Sequence, residues 1–240
     1  VKAEIMSDTG KAGAAGRQAC REREMREDFG SLNEPGVLTP SIPRDIAERS
    51  QRQRILESMA ASCNEKTFAA TTIADIVGHA SISRATFYKH FTNKRECFDA
   101  AADNFLADLH GIAAEAYSGD DSYASSVRSV VAAALERLAS KPTEANLLLV
   151  EAPIVDPEIV RRIRKLVVVA MAIQLQPEGS ESRPFADPRI AFGRATVLIA
   201  DFLTAGRVKE IPTLLPELVY IALLPSVGHE AALEQAGVGR

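Results

Sequence analysis

Apolar positions along this chain recur every three or four residues, and nowhere do they alternate in twos. That period belongs to amphipathic helices, so the pattern predicts an all-α fold. Over residues 46–64, Ile55, Leu56, Met59 and Ala60 form an inner stripe, and Phe68 follows in a short connection. Thr72 is placed to cap a helix in which Ile73, Ile76 and Val77 share one face. Ala80, Ser81 and Ile82 make a turn, with Ile82 as the apolar plug between helices. Ser83 caps the next helix, where Phe87 and Phe91, four apart, point inward. Asn93 or Thr92 then caps a long helix carrying Phe98, Ala101, Ala102, Phe105 and Leu109 on one side.

Further helices follow from about Ser122 to Ser140 and from Pro142, with Gly119, Asp120 and Asp121 as the break before them. Pro153 and Pro157 bracket a kinked connection into a helix that becomes apolar on nearly all sides. Residues 177–188 form a polar loop, and 189–206 and 212–224 supply two more helices. The predicted organisation is an arm at 1–43, a helix-turn-helix segment at 44–95, a helical body at 96–228 and a tail at 229–240. The arm holds three prolines within LNEPGVLTPSIP, and Arg21, Arg23 and Arg26 are interleaved with Glu22, Glu24 and Glu27. That mixture favours a solvated tail over a basic arm laid in a minor groove.

Composition is consistent with a packed core: 46% hydrophobic, 25% charged and only 5% aromatic, with no Trp. No apolar run approaches the roughly 18–20 residues of a membrane span, and the N-terminus lacks a basic segment leading into an apolar one. Cys20, Cys63 and Cys97 are odd in number and widely spaced, which suits a reducing cytoplasm. His79, His90, His110 and His229 have no metal-ligand spacing among themselves or with the cysteines. No cofactor motif is present. Nor is there a G-x-S-x-G, P-loop, G-x-G-x-x-G or H-E-x-x-H sequence, so an enzyme is not expected.

The net charge of −4 is unevenly placed. Residues 44–95 hold nine Lys/Arg and five Asp/Glu, a balance of +4, against nineteen and twenty-seven elsewhere, a balance of −8. Such a distribution confines phosphate attraction to one end of the molecule. The second short helix of the turn motif presents small, hydroxyl and cationic side chains opposite its phenylalanines, as a major-groove reader does. Its candidate DNA contacts are Ser83, Arg84, Ala85, Thr86, Tyr88, Lys89 and His90, joined by Thr72 and Lys94 at neighbouring helix starts. Arg84 can address guanine bidentately or neutralise a phosphate. Ala85 permits close approach, while Lys89 and His90 position the helix on the backbone. Thr72 would hand its N–H to a phosphate, and Lys94 would add an ammonium at a helix N-terminus.

The run RQRILESMA followed by ATTIADIVGHASISRATFYKHFTNKRECF resembles the TetR-type (tetracycline repressor-like) transcriptional regulators, most specifically over Ile82 to Lys94. The resemblance covers about 50 residues; beyond them helix number, order and length agree. It implies an N-terminal three-helix DNA-binding domain and a helical body for ligand binding and dimerisation. It further implies a phosphate contact from the Tyr88 hydroxyl, and a phosphate or thymine-methyl contact from Thr86. Three residues depart from the pattern. Thr67 stands where the family commonly has Gly, Ser81 occupies the usual Gly of the turn, and Gly78 lies inside a helix at a cost of about 1 kcal/mol.

The expected function is a homodimeric regulator, a repressor released from a near-palindromic operator by an apolar or amphipathic molecule. Its pocket is assigned to Phe105, Leu109, Leu148, Glu151, Met171 and Phe192, with Glu151 either orienting a ligand or capping a neighbouring helix. The dimer face is assigned to Phe192, Ala195, Ile199, Phe202, Leu218 and Ile221. Two rivals are a ligand-free DNA protein with a solid body and a ligand carrier whose helix-turn-helix is vestigial. A cavity above about 300 Å³ argues against the first, and steep salt dependence of DNA binding argues against the second.

Overall fold

The computed structural model describes residues 44–117, 122–163 and 188–237, with the side chains of 44–45 and 188–192 excepted. Among these residues every regular element is helical. Contacts divide the chain after Ala47, and Glu48–Arg240 is the second unit. Among the described residues, the second unit carries every buried apolar side chain of the core.

Helix α1 spans Arg44–Ala70. Its stripe is as the periodicity requires, with Ile55, Leu56, Met59, Ala60 and Cys63 all buried. The helix does not stop near Asn64, however. It runs to Ala70 across a kink at Thr67, whose φ of 72° and ψ of 159° are non-helical. The short turn beyond the kink is held by Thr71, whose N–H and hydroxyl both donate to the Thr67 carbonyl, at 3.0 and 2.7 Å. Phe68 thus opens a new helical turn.

Helix α2 (Ile73–Ala80) begins with a capping box: Thr72 Oγ1 accepts from the Asp75 N–H while Asp75 accepts from the Thr72 N–H. It ends at Ser81, left-handed at φ 52°, whose N–H returns to Gly78 O at 3.2 Å. The Ile82 N–H closes on Val77 O at 3.1 Å, satisfying the last carbonyls of the helix. Helix α3 (Arg84–His90) is capped by Ser83, and α4 (Lys94–Ala116) by Asn93 rather than Thr92. The Thr92 N–H and hydroxyl are instead bound to Glu96. Cys97, Phe98, Ala101, Ala102, Phe105 and Leu106 are buried along α4, so it serves both the turn motif and the body.

Ser122 caps α5 (Tyr123–Ser140); residues 119–121, the expected break, lie outside the described residues. Pro142 opens α6, which is composite: α-helical over Pro142–Asn146, π-helical over Leu147–Glu151 and α-helical again over Ala152–Val155. Residues 157–163 are helical (α7). Helix α8 spans Pro188–Thr204, a 3₁₀ segment Val208–Leu214, and α9 Leu215–Val227. Residues 229–236, expected as tail, form α10 (His229–Ala236), with Ala232 and Ala236 buried and the Gln235 carbonyl held by Arg128 of α5 at 2.7 Å.

One apolar core runs without interruption from α1, α2 and α3 through α4 to α5, α6, α7 and α8. Val208–Val227 has the length and apolar character of a membrane span, against the expectation that no such run exists. Its Ile211, Leu214, Leu218, Val219 and Leu223 are nevertheless buried inside this protein.

Candidate nucleic-acid interface

Helix α3 is fixed from inside. Phe87 is fully buried, Phe91 nearly so with its ring centroid 5.8 Å from that of Phe87, and Ile76 of α2 is buried. With that face committed, Arg84, Ala85, Tyr88 and Lys89 are exposed at offsets of one, four and five along the helix, which places them on one side. Tyr88 is 55% exposed, its ring edge-on to Phe87 at 5.5 Å. Its phenol is therefore steered by the core while its hydroxyl faces outward. Thr86 and His90 are half-buried at the margins of this face. The Ser83 and Thr86 hydroxyls lie 2.9 Å apart and bond each other, and Ser83 also accepts from the Thr86 N–H at 3.0 Å.

Two members of the expected contact set are engaged elsewhere. Thr72 gives both its N–H and its hydroxyl to Asp75 Oδ2, at 2.9 and 2.8 Å. Both donors are thus engaged within the capping box of α2. Asp75 is also paired with Lys66 at 2.6 Å. The Lys66 bond, then those from Thr72, hold the Asp75 carboxyl far below its usual range and push Lys66 upward. Lys94 does not face outward either. Its ammonium donates to Phe68 O at 2.7 Å, Thr71 O at 2.7 Å and Ala69 O at 3.4 Å, and sits 4.3 Å from the Phe68 ring centroid. With three donors spent, it is a C-cap for the 68–71 turn. A lysine after a helix start reads as a phosphate ligand from sequence; the carbonyls come from a turn twenty-odd residues away.

Glu151 shows the reverse. It is 7% exposed and its Oε2 accepts from the Phe68 N–H at 2.7 Å. Of the two roles open to it, the structure puts it at the N-terminus of a neighbouring helical turn. A cleft of about 380 Å³ lies between α1, α4, α5 and α6, floored by Leu56, Ala60, Phe105 and Leu147 and rimmed by Glu57, Asp108, Arg137 and Glu144. Phe105 lines it, whereas Leu109 and Leu148 do not; Leu148 is packed solid in the core. Met171 and the Phe192 side chain lie outside the described residues. The cleft is thus apolar at its floor and charged at its rim, where Arg137 is bound bidentately to Asp108 at 2.6 and 2.7 Å.

Of the expected dimer face, Ile199 and Leu218 are buried within the single chain, so they hold α8 and α9 to its own core. Ala195, Phe202 and Ile221 are half-buried. Among the described residues, the large apolar side chains exposed on these helices are Val197, at 63%, and Leu224. Among the described residues no group of His, Cys, Asp or Glu is arranged to hold a metal. Burial pushes the Cys63 thiol up to about 11 and Cys97 up to about 12.

No curated protein matches the chain. Its fold is similar to the transcriptional regulator FadR from Bacillus subtilis, solved in complex with stearoyl-CoA, at TM-score 0.62 and 16% identity over 73% of this chain and 98% of that one. FadR from Bacillus halodurans, a fatty acid degradation regulator, matches at TM-score 0.63 and 14% identity over 74% of this chain and 95% of that one. PfmR from Thermus thermophilus, a TetR family transcriptional regulator, matches at TM-score 0.53 and 17% identity, over 72% and 97%. Residues 55–101, the segment that builds α2, α3 and their supports, match the family model described as bacterial regulatory proteins, tetR family. That match covers the helix-turn-helix segment, which is set here in an all-helical fold similar to those of the solved regulators.

Proposed function

We propose that the chain is a homodimeric repressor that reads a near-palindromic operator with one α3 per half-site. A small amphipathic molecule bound in the body would release it. The observation that carries the reading is the outer face of α3. Arg84, Ala85, Tyr88 and Lys89 share one exposed side of a helix whose other side is locked by Phe87 and Phe91. Among the described residues Arg84 and Lys89 form no ion pair, so both charges are available to DNA. The contact set narrows to these four with Thr86 and His90 beside them. Thr72, Ser83 and Lys94 become residues that build the surface. Working on DNA, the protein would act in the cytoplasm.

Pairing with a second copy would use the exposed Val197 and Leu224, extended by the half-buried Ala195, Phe202 and Ile221. An amphipathic effector has a precedent in the similar fold of FadR with stearoyl-CoA. Release then requires that the effector favour the arrangement unable to bind DNA, by about 1.4 kcal/mol for each tenfold loss of operator affinity. The test is selection of duplexes from a random library, followed by fluorescence anisotropy against a shuffled duplex at several salt concentrations. Tight, salt-sensitive binding that resists the shuffled competitor supports the reading. Equal binding of both duplexes overturns it.

A further inference from the structure

The turn Phe68–Thr71, which leads directly into the Thr72 cap of α2, is gripped at both ends by residues remote in sequence. At its N–H end Glu151 accepts from Phe68 N; at its carbonyl end Lys94 donates to Phe68 O, Ala69 O and Thr71 O. An acid at the N-terminus and an ammonium at the C-terminus both favour the dipole of a helical turn. The backbone entering this turn is strained. Thr67 lies in a region that is essentially glycine's, and such geometry persists only where the surroundings over-determine it. Glu151 belongs to another sparsely populated element, as the last residue of the π turn Leu147–Glu151. A π turn carries one residue more than the α-helix around it. Its return to α geometry would rotate the Glu151 side chain by about 100° about the helix axis, off the Phe68 N–H. Arg95, next to Lys94, ties down the far end of the same helix through Val155 O at 3.3 Å and Asp156 Oδ2 at 2.5 Å.

From this geometry we infer that Glu151 is a positioning residue for the DNA-reading face. With the π turn formed, its carboxyl group pins Phe68 and sets the register of α2 and α3 against α6; with the turn relaxed, the pin is withdrawn. The inference rests on the reading of α3 as a DNA-recognition helix. It assigns to Glu151 a part in where that helix sits, not a contact with DNA.

The test uses the full chain and two probes, a duplex enriched from a random library by the wild type and a shuffled duplex at low salt. Glu151→Ala removes the acceptor. Glu151→Asp keeps the acid but shortens its reach and guards against a variant that fails to fold. Glu151→Gln keeps an acceptor oxygen at full length. The expected result for Ala and Asp is a loss of about tenfold or more on the enriched duplex, with binding of the shuffled duplex unchanged because the cations of α3 remain. Amide exchange should quicken over residues 68–80 and stay the same over α5, and Gln should recover most of the loss. Parallel losses on both duplexes with exchange rising throughout α5 would reduce Glu151 to a stabilising residue and overturn the proposal. Wild-type affinity in the Asp variant would overturn it too. If the wild type enriches no duplex, the DNA reading itself fails and the positioning role falls with it; an enriched duplex indifferent to Glu151 sinks the positioning role alone.

Discussion

The Lys94 ammonium lies 4.3 Å from the Phe68 ring centroid and bonds the Phe68 carbonyl at 2.7 Å. One side chain thus serves the backbone and the aromatic ring of the same residue, and Phe68 in turn stacks at a tilt on Phe98, 4.6 Å away. Lys94→Met keeps the apolar stem and removes only the cation, leaving the two closely bonded carbonyls without their donor. It should cost about 1–3 kcal/mol in urea unfolding. Lys89→Met, on the exposed face of α3, should stay within about 0.5 kcal/mol of wild type. Equal costs for the two would remove Lys94 from its capping role.

Thr67 and Ser81 both have positive φ, but of different kinds. Ser81, at φ 52° and ψ 48°, sits in the left-handed well that short polar residues visit at modest cost. Thr67, at φ 72° and ψ 159°, has no such refuge, and its branched Cβ adds to the conflict. Thr67→Gly should therefore raise stability by about 1 kcal/mol after the extra backbone entropy of glycine is subtracted. Thr67→Ala should gain little, because alanine also carries a Cβ. Ser81→Gly should fall within about 0.5 kcal/mol of wild type. Urea midpoints for the three variants give the ranking, and a Thr67→Gly variant no more stable than wild type would refute the strain argument.

The period of apolar residues was enough to place α2 to α5 and most of α1, because each buries one face. Thr72 and Ser83 were legible as caps, Asn93 as one of two candidates with Thr92, and Ser122 as the start of a helix. The kink at Thr67 was marked only by the missing glycine, and the turn beyond it was not legible because long-range partners hold it. The π turn left no trace either: LLLVE is as apolar as a regular helix, and the extra residue is visible only in the backbone. The exposed face of α3 followed from Phe87 and Phe91. The intrachain bonds of Thr72 and Lys94 did not, since sequence spacing does not encode them.

Buried thiols supply a negative prediction. With Cys63 pushed up to about 11 and Cys97 up to about 12 by burial, the reactive thiolate is on the order of one part in a thousand or less at pH 8. Neither should be alkylated by iodoacetamide in the native protein, and both should be alkylated in urea, as mapped by mass spectrometry. Native labelling of either would reopen a thiol switch.

Asp75 gives a pH signature. Its folded carboxyl is held below the ordinary 3.8 by Lys66 and Thr72. A depressed folded value means that the stability it contributes is fully present above about pH 4 and is lost as the pH falls toward the lower folded value. The stability gap between wild type and Asp75→Asn should accordingly be flat from about pH 7 to pH 5 and narrow below about pH 4. Urea midpoints measured across that range check it, and a gap that widens with acid would contradict the assignment.

The outer face of α3 separates two kinds of contact. Tyr88 owes its outward pose to edge-on packing against Phe87, so Tyr88→Phe removes a hydroxyl without moving the ring. If that hydroxyl meets a phosphate, affinity should fall by a similar factor, about three- to tenfold, on every duplex. Arg84 begins the helix beside its Ser83 cap, exposed next to the small Ala85. Arg84→Ala should cost about 1–3 kcal/mol on the selected duplex and relax preference at one base pair, as loss of a bidentate guanine contact does. Repeating the library selection with each variant decides between the two roles. A changed consensus for Arg84→Ala with an unchanged one for Tyr88→Phe fits base reading by the arginine. An unchanged consensus for both would make Arg84 a phosphate contact, and sequence reading would then have to come from elsewhere on the face.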